Sequence, residues 1–156
     1  MVAYNLFIKE ICIGDVSGVV YDGECNVEQI EVMAVKMILV VEDDDMVSNV
    51  IANMIKQETK YYPVIVPDGR TAEAVTRDIK PDLLLLDYLL PDINGIELYD
   101  RLHEREELSD VPALLLTAHL PRIELQRAVR ERNLQALSKP FDIADLLAVI
   151  EQRLVA

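Results

Sequence analysis

Short apolar runs separated by segments with helix-spaced apolar positions repeat through residues 37–156. Met37–Val41 is uniformly apolar and reads as a strand, while residues 45–58 carry Met46, Val47, Val50, Ile51, Met54 and Ile55 at the spacing of one helix face. Tyr62–Val66 is β-prone, and Pro63 within it has no N–H for a ladder, so the run predicts an edge strand. A helix is expected over 70–79, after the Asp68-Gly69 turn. Leu83–Asp87 then gives four leucines and one carboxylate, bounded by Pro81-Asp82 and Pro91. Apolarity without alternation marks a strand covered on both faces, the kind found in parallel sheets. Next come a helix over 94–107 with Ile96, Tyr99 and Leu102 inward, and an apolar strand over 111–116 that ends in Thr117. A helix opened by Pro121 is expected to about residue 132, followed by a short strand over 134–138. Asp142 caps a last helix with Ile143, Leu146, Leu147, Ile150 and Leu154 on one face. Five strands alternating with five helices predict an α/β protein with a doubly wound five-stranded parallel sheet.

Residues 1–36 follow another pattern. The β-prone runs 6–13 and 16–21 flank Gly14-Asp15, with Asp22-Gly23 after the second, which fits a hairpin. Residues 26–36 fit either a short helix capped by Asn26 or a continuing strand. This stretch holds only two of the fifteen basic residues, and neither is Arg. It reads as a short N-terminal extension without chemistry of its own, too small for a separate output domain. One use for it is to add to a sheet edge or build a homodimer contact. Another reading starts the native chain at Met33 or Met37.

Composition narrows the function. At 156 residues, about half of them apolar, the chain is one globular domain in size. A net charge of −13 excludes the basic patch that direct nucleic-acid binding needs, and suits a cation or a basic partner. No apolar run approaches the roughly 20 residues that span a bilayer, so membrane insertion is not expected. The N-terminus lacks a cationic stretch leading an apolar core, and Cys12 and Cys25 have no metal-ligand spacing. Two free thiols in a reducing cytoplasm are the expectation.

The chemistry gathers at the strand ends, where open α/β sheets bind ligands. The first strand delivers Glu42, Asp43 and Asp44, the third Asp87, the fourth Thr117 and the fifth Lys139. Carboxylates packed together repel unless a cation joins them, and an oxygen-only ligand set suits Mg²⁺. An ammonium and a hydroxyl opposite can hold phosphoryl oxygens. Together the set describes phosphoryl transfer onto an aspartate. Taken singly, each residue has a plainer role: acids in a first helical turn, a loop-start hydroxyl, a solvated lysine, a turn-forming aspartate. Their joint arrival at four strand ends favours a site.

With those residues in view, residues 37–156 resemble the receiver domain of bacterial two-component response regulators, through ILVVEDD (38–44), LLLLDYLLPDINGIEL (83–98), LLLTAH (114–119) and SKPF (138–141). The resemblance implies the flavodoxin-like strand order 2-1-3-4-5. It implies that Asp87 is the phosphoacceptor, with Glu42 and Asp43 as the acidic pair. Asp43, Asp87 and the backbone carbonyl of Leu89 fall on ligands of Mg²⁺. Thr117 and Lys139 fall on the phosphoryl-binding pair, and Lys139-Pro140 on a peptide that is cis in the family. Two alternatives in similar folds fit worse. A haloacid-dehalogenase-type phosphatase needs a second Asp where Leu89 stands, and a flavin-binding flavodoxin needs a hydroxyl- and Gly-rich loop where the acid run 42–45 would repel phosphate.

Three positions depart from the family or modulate it. Ala136 occupies the place of the usual Tyr or Phe that partners the hydroxyl residue. Leu89 and His119 stand where the family controls the approach of the hydrolytic water, His119 reading equally well as a plain exposed loop residue, and an apolar Leu89 implies a long-lived phosphoryl group. His103 is expected to be solvated. The implied function is a stand-alone regulator in the cytoplasm, the chain ending just past its last helix. It would take a phosphoryl group from a sensor histidine kinase or a histidine phosphotransfer protein, and would then act on a downstream protein target or in a phosphorelay, catalysing only its own phosphorylation and dephosphorylation. The competing readings are an interaction module independent of phosphate, and a receiver fragment of a longer regulator.

Overall fold

The computed structural model describes residues 35–118 and 122–155. The hairpin expected within 1–34, the role of His119 and the helix start at Pro121 lie outside the described residues. Five parallel strands, β1 (Met37–Val41), β2 (Tyr62–Val66), β3 (Leu83–Asp87), β4 (Ala113–Thr117) and β5 (Gln135–Ser138), form one sheet in the order β2-β1-β3-β4-β5. Five helices alternate with them: α1 (Asp45–Glu58), α2 (Gly69–Val75), α3 (Gly95–His103), α4 (Ile123–Glu131) and α5 (Ile143–Val155). This is the expected doubly wound sheet, with Pro63 on an edge strand as its missing N–H requires. Among the described residues no helix is long and apolar enough to cross a membrane.

The central strand divides the interior. Leu84 and Leu86 point into a core with Ala72 of α2, Ile96, Leu98 and Leu102 of α3, and Leu125 of α4. Leu83 and Leu85 point into a second core with Ile51, Met54 and Ile55 of α1 and Leu146, Ile150 and Leu154 of α5. Each fully buried leucine contributes roughly 1.5–3 kcal/mol, which is why an unalternating run settles here.

Several boundaries and faces differ from the sequence reading. The helix expected over 70–79 ends at Val75, and the chain beyond tightens into three-residue turns, with the Arg77 N–H on the Ala74 carbonyl at 3.2 Å and the Asp78 N–H on that of Val75 at 3.1 Å. The helix expected over 94–107 ends at His103, and a 3₁₀ turn over Glu106–Leu108 follows it. On α1, Met46 and Val50 are exposed, and the small residues Ser48 and Ala52 are buried beside Ile51, Met54 and Ile55. The buried face of α1 thus includes small residues that a count of apolar positions does not weigh. Ile143, the first residue of α5, is exposed rather than part of the buried face. His103 is not solvated. It is half-buried, with Nδ1 2.9 Å from the carbonyl of Tyr99 and Nε2 2.8 Å from that of Val111, so it ties the end of α3 to the approach to β4.

Candidate functional site

The acid run after β1 divides by task. Asp44 caps α1, its Oδ1 accepting from the amides of Met46 at 2.8 Å and Val47 at 3.0 Å, and Asp45 lies in the first helical turn. Glu42 and Asp43 remain for the site. Glu42 is buried, its backbone N–H held by the Val66 carbonyl of β2 at 3.1 Å, while Asp43 is exposed. Asp87 ends β3 and is buried next to them. One oxygen from each of Glu42, Asp43 and Asp87 can be chosen so that all lie within 4.8 Å of one another.

Lys139 crosses this cluster from the far end of the chain. Its Nζ donates to Glu42 Oε2 at 2.7 Å and lies 3.2 Å from Asp87 Oδ1. The backbone places it there: the Lys139 N–H bonds the Thr117 carbonyl at 2.8 Å, and the next peptide, Lys139-Pro140, is cis, as the resemblance implied. Thr117 is buried at the end of β4, one residue beyond the Leu116 that pairs with Asp87. Burial pushes the Glu42 carboxyl above its ordinary range, and the Asp87 charge adds to this against the opposing pull of Lys139. Burial acts to lower the Lys139 ammonium, but the bond to Glu42 and the charge of Asp87 outweigh it and hold it above the usual lysine range.

The loop after Asp87 is narrowly built. Leu89 and Asn94 pair as an antiparallel bridge across its base, and the Gly95 N–H bonds the Tyr88 carbonyl at 2.9 Å. Asn94 caps α3 through the Glu97 amide at 2.9 Å. Gly95 is required by proximity, since a Cβ there would lie 2.5 Å from the Asp87 carbonyl oxygen and 2.8 Å from Leu115 Cδ1. The Leu89 side chain is exposed, and Ala136 is half-buried at the centre of β5, packed against the core of α2, α3 and α4.

The expected residues Glu42, Asp43, Asp87, Thr117 and Lys139 thus converge at one end of the sheet. The sequence reading missed Asp92, whose carboxylate accepts from the amides of Gly69 at 3.0 Å and Arg70 at 2.8 Å. Burial would raise its carboxyl, but those two amide bonds hold it below the usual range. Nothing in a turn-forming Asp signals a partner 22 residues away.

Three neighbouring carboxylates with only oxygen donors make a set that fits a hard divalent cation. Comparison with known proteins agrees with this arrangement. The sequence pattern described as "Response regulator receiver domain" matches residues 38–151. The chain is 33% identical over 115 residues to the DNA-binding dual master transcriptional regulator RpaA of Synechocystis, covering 71% of this chain and 46% of that one. It is 33% identical over 117 residues to the phosphate regulon transcriptional regulatory protein PhoB of Rhizobium meliloti, covering 75% and 51%. The chain therefore spans about half the length of the curated relatives it matches. Among solved structures, the receiver domain of a Pseudomonas aeruginosa sensor histidine kinase, with a magnesium ion coordinated in its active-site cleft, superposes with a TM-score of 0.71 at 26% identity, over 79% of this chain and all of that one.

Proposed function

The chain belongs to the response regulator receiver domain family, and on that premise we propose that Asp87 accepts a phosphoryl group from the phosphohistidine of a sensor kinase or phosphotransfer protein in the cytoplasm. The observation that carries the reading is the single ammonium of Lys139 set between buried Glu42 and Asp87, with Asp43 alongside. In the step, an Asp87 carboxylate oxygen attacks phosphorus while the phosphorus–nitrogen bond of the phosphohistidine breaks. The leaving imidazole retains the electron pair and takes a proton from solvent. Lys139 leaves its carboxylate partners for the new phosphoryl oxygens, and the Thr117 hydroxyl donates to another. Asp43, Asp87 and the Leu89 carbonyl would hold Mg²⁺, with Glu42 completing the acidic pair. When bound, Mg²⁺ supplies positive charge that offsets the carboxylates and the phosphoryl oxygens. Water attack on the acyl phosphate returns the free carboxylate and inorganic phosphate, so the only catalysis is on the protein's own aspartate.

Residues 37–156 act as the receiver unit in this reading, with 1–36 as an accessory segment. The relatives named above are DNA-binding or transcriptional regulators; for this chain we propose action through a protein target or a relay, consistent with its −13 charge. Ala136 favours a second reading, an interaction module that keeps the fold but is not governed by phosphate. Exposure of the native protein and Asp87→Ala to acetyl phosphate or beryllofluoride, with and without Mg²⁺, separates the two. A Mg²⁺-dependent adduct by intact mass, lost in Asp87→Ala, is expected; no adduct in the native protein overturns the phosphoreceiver reading.

A further inference from the structure

We propose that Asp92 is a positioning residue for the acceptor site: it fastens the loop after Asp87 to the first turn of α2 and so fixes where the Leu89 carbonyl stands relative to Asp43 and Asp87. The proposal rests on the phosphoreceiver reading above.

The loop runs from Leu89 to Asn94, and its base is closed by the bridge between those two residues. Its far side is held elsewhere. Asp92 Oδ1 accepts from the Gly69 amide at 3.0 Å and Oδ2 from the Arg70 amide at 2.8 Å, so both oxygens bond successive backbone donors and the carboxylate has one orientation. The neighbouring side chain supplies an apolar half to the same contact. Ile93 is buried, and a Cβ on Gly69 would lie 2.3 Å from its Cγ2, so the loop and the first turn of α2 meet with no room between them.

The segment that receives Asp92 also holds the other side of the site. Only Pro67 and Asp68 link the end of β2 to α2, and the Val66 carbonyl just before them accepts the Glu42 amide at 3.1 Å. The loop carrying the acidic pair and the loop carrying Leu89 are therefore tied to one short stretch of chain, at its opposite ends. Asp92 is exposed and acts through backbone rather than on the reacting atoms. Without its two bonds, the loop is held to α2 by the Ile93 contact alone, which fixes no orientation of the backbone at Leu89.

Mg²⁺ titration of the native protein, Asp92→Ala and Asp92→Asn, followed by the amide shifts of Tyr88 and Leu89, tests the proposal, with thermal midpoints recorded in the absence of Mg²⁺. Ala72→Gly is the control, since it weakens α2 without touching Asp92. Asp92→Ala is expected to bind Mg²⁺ about tenfold more weakly, the lower end for groups that orient metal ligands from outside. Asp92→Asn, which keeps an acceptor oxygen for one amide, should fall between. Unchanged affinity in Asp92→Ala overturns the positioning role while leaving the phosphoreceiver reading intact. An equal loss in Ala72→Gly overturns it too, because the effect would then come from stability alone. A flat titration in the native protein overturns the phosphoreceiver reading, and this proposal with it.

Discussion

Lys139 and Glu42 meet through a 2.7 Å hydrogen bond that closes a separation of 97 residues, and the same ammonium lies 3.2 Å from Asp87. One cation thus balances two buried carboxylates from the ends of two other strands. In the proposed function, that ammonium is the partner a phosphoryl group takes over. Removing that cation has consequences for stability as well as for chemistry.

Lys139→Met is expected to destabilise the fold by about 3 kcal/mol at neutral pH, because it leaves a buried carboxylate unpaired. The Glu42 carboxyl is already raised in the folded protein by burial. A raised acid contributes stability below its unfolded pKa and loses it as pH rises through the folded value. Urea unfolding at about pH 7 and about pH 5 should therefore show the deficit shrinking at the lower pH. A deficit independent of pH would rule out Glu42 as its source.

Gly95→Ala places a Cβ 2.5 Å from the Asp87 carbonyl oxygen. Backbone cannot yield there as a flexible side chain would. The expected cost is about 2 kcal/mol, as for other overpacking substitutions, read as a lower urea midpoint. Weaker Mg²⁺ binding should accompany it.

Arg132 holds Asp100 through two bonds, Nε to Oδ1 at 2.7 Å and Nη2 to Oδ2 at 2.6 Å, and so joins the end of α4 to α3. The Arg132 hydrogen bonds hold the Asp100 carboxyl below its ordinary range despite partial burial. A depressed acid gives stability above its unfolded pKa and loses it as pH falls through the folded value. Because the pair is partly exposed, Arg132→Gln should cost no more than about 1 kcal/mol at neutral pH. The difference from the native protein should shrink in thermal unfolding as pH falls below the ordinary range of an aspartate carboxyl.

Leu89 presents an apolar, exposed side chain two residues past Asp87, the proposed acceptor. Leu89→Asn should shorten the half-life of the phosphoprotein severalfold by giving the hydrolytic water a polar neighbour. Release of phosphate after removal of the donor measures it, and an unchanged rate would show that Leu89 does not control access.

Ala136 leaves no aromatic ring at the centre of β5 to follow the hydroxyl residue. Beryllofluoride should then shift amides within 117–136 through movement of Thr117 and the chain after it. An unchanged segment there would place the signal elsewhere.

The sheet was legible because its strands are short, unalternating apolar runs, and Leu83–Asp87 admits few other readings. The candidate site was legible for a related reason: a parallel sheet gathers at one edge the residues that end its strands, as Asp87 and Thr117 do, and those that follow them, as Glu42, Asp43 and Lys139 do. Glu42, Asp43, Asp87, Thr117 and Lys139 could be assembled from order alone. What stayed hidden depends on groups that periodicity does not weigh. Ser48 and Ala52 bury where apolar spacing pointed to Met46 and Val50. The chain tightens into three-residue turns after Thr76, and the His103 ring lies between the carbonyls of Tyr99 and Val111. Asp92 reads as a turn residue and bonds another loop.

The wall of leucines that separates the two cores has a consequence for exchange with solvent. Leu84, Leu85 and Leu86 are paired on both sides, with β1 and β4, and their side chains anchor opposite interiors. No partial opening can wet this strand without dissolving one interior, so its amide protons should exchange only when the whole domain unfolds. Asp87 would thereby be mounted on the most slowly exchanging backbone of the fold, while Asp43, Asp44 and Leu89 at the rim of the site are exposed. Deuterium uptake would then read two clocks in one molecule, fast at the rim of the site and slowest at its centre.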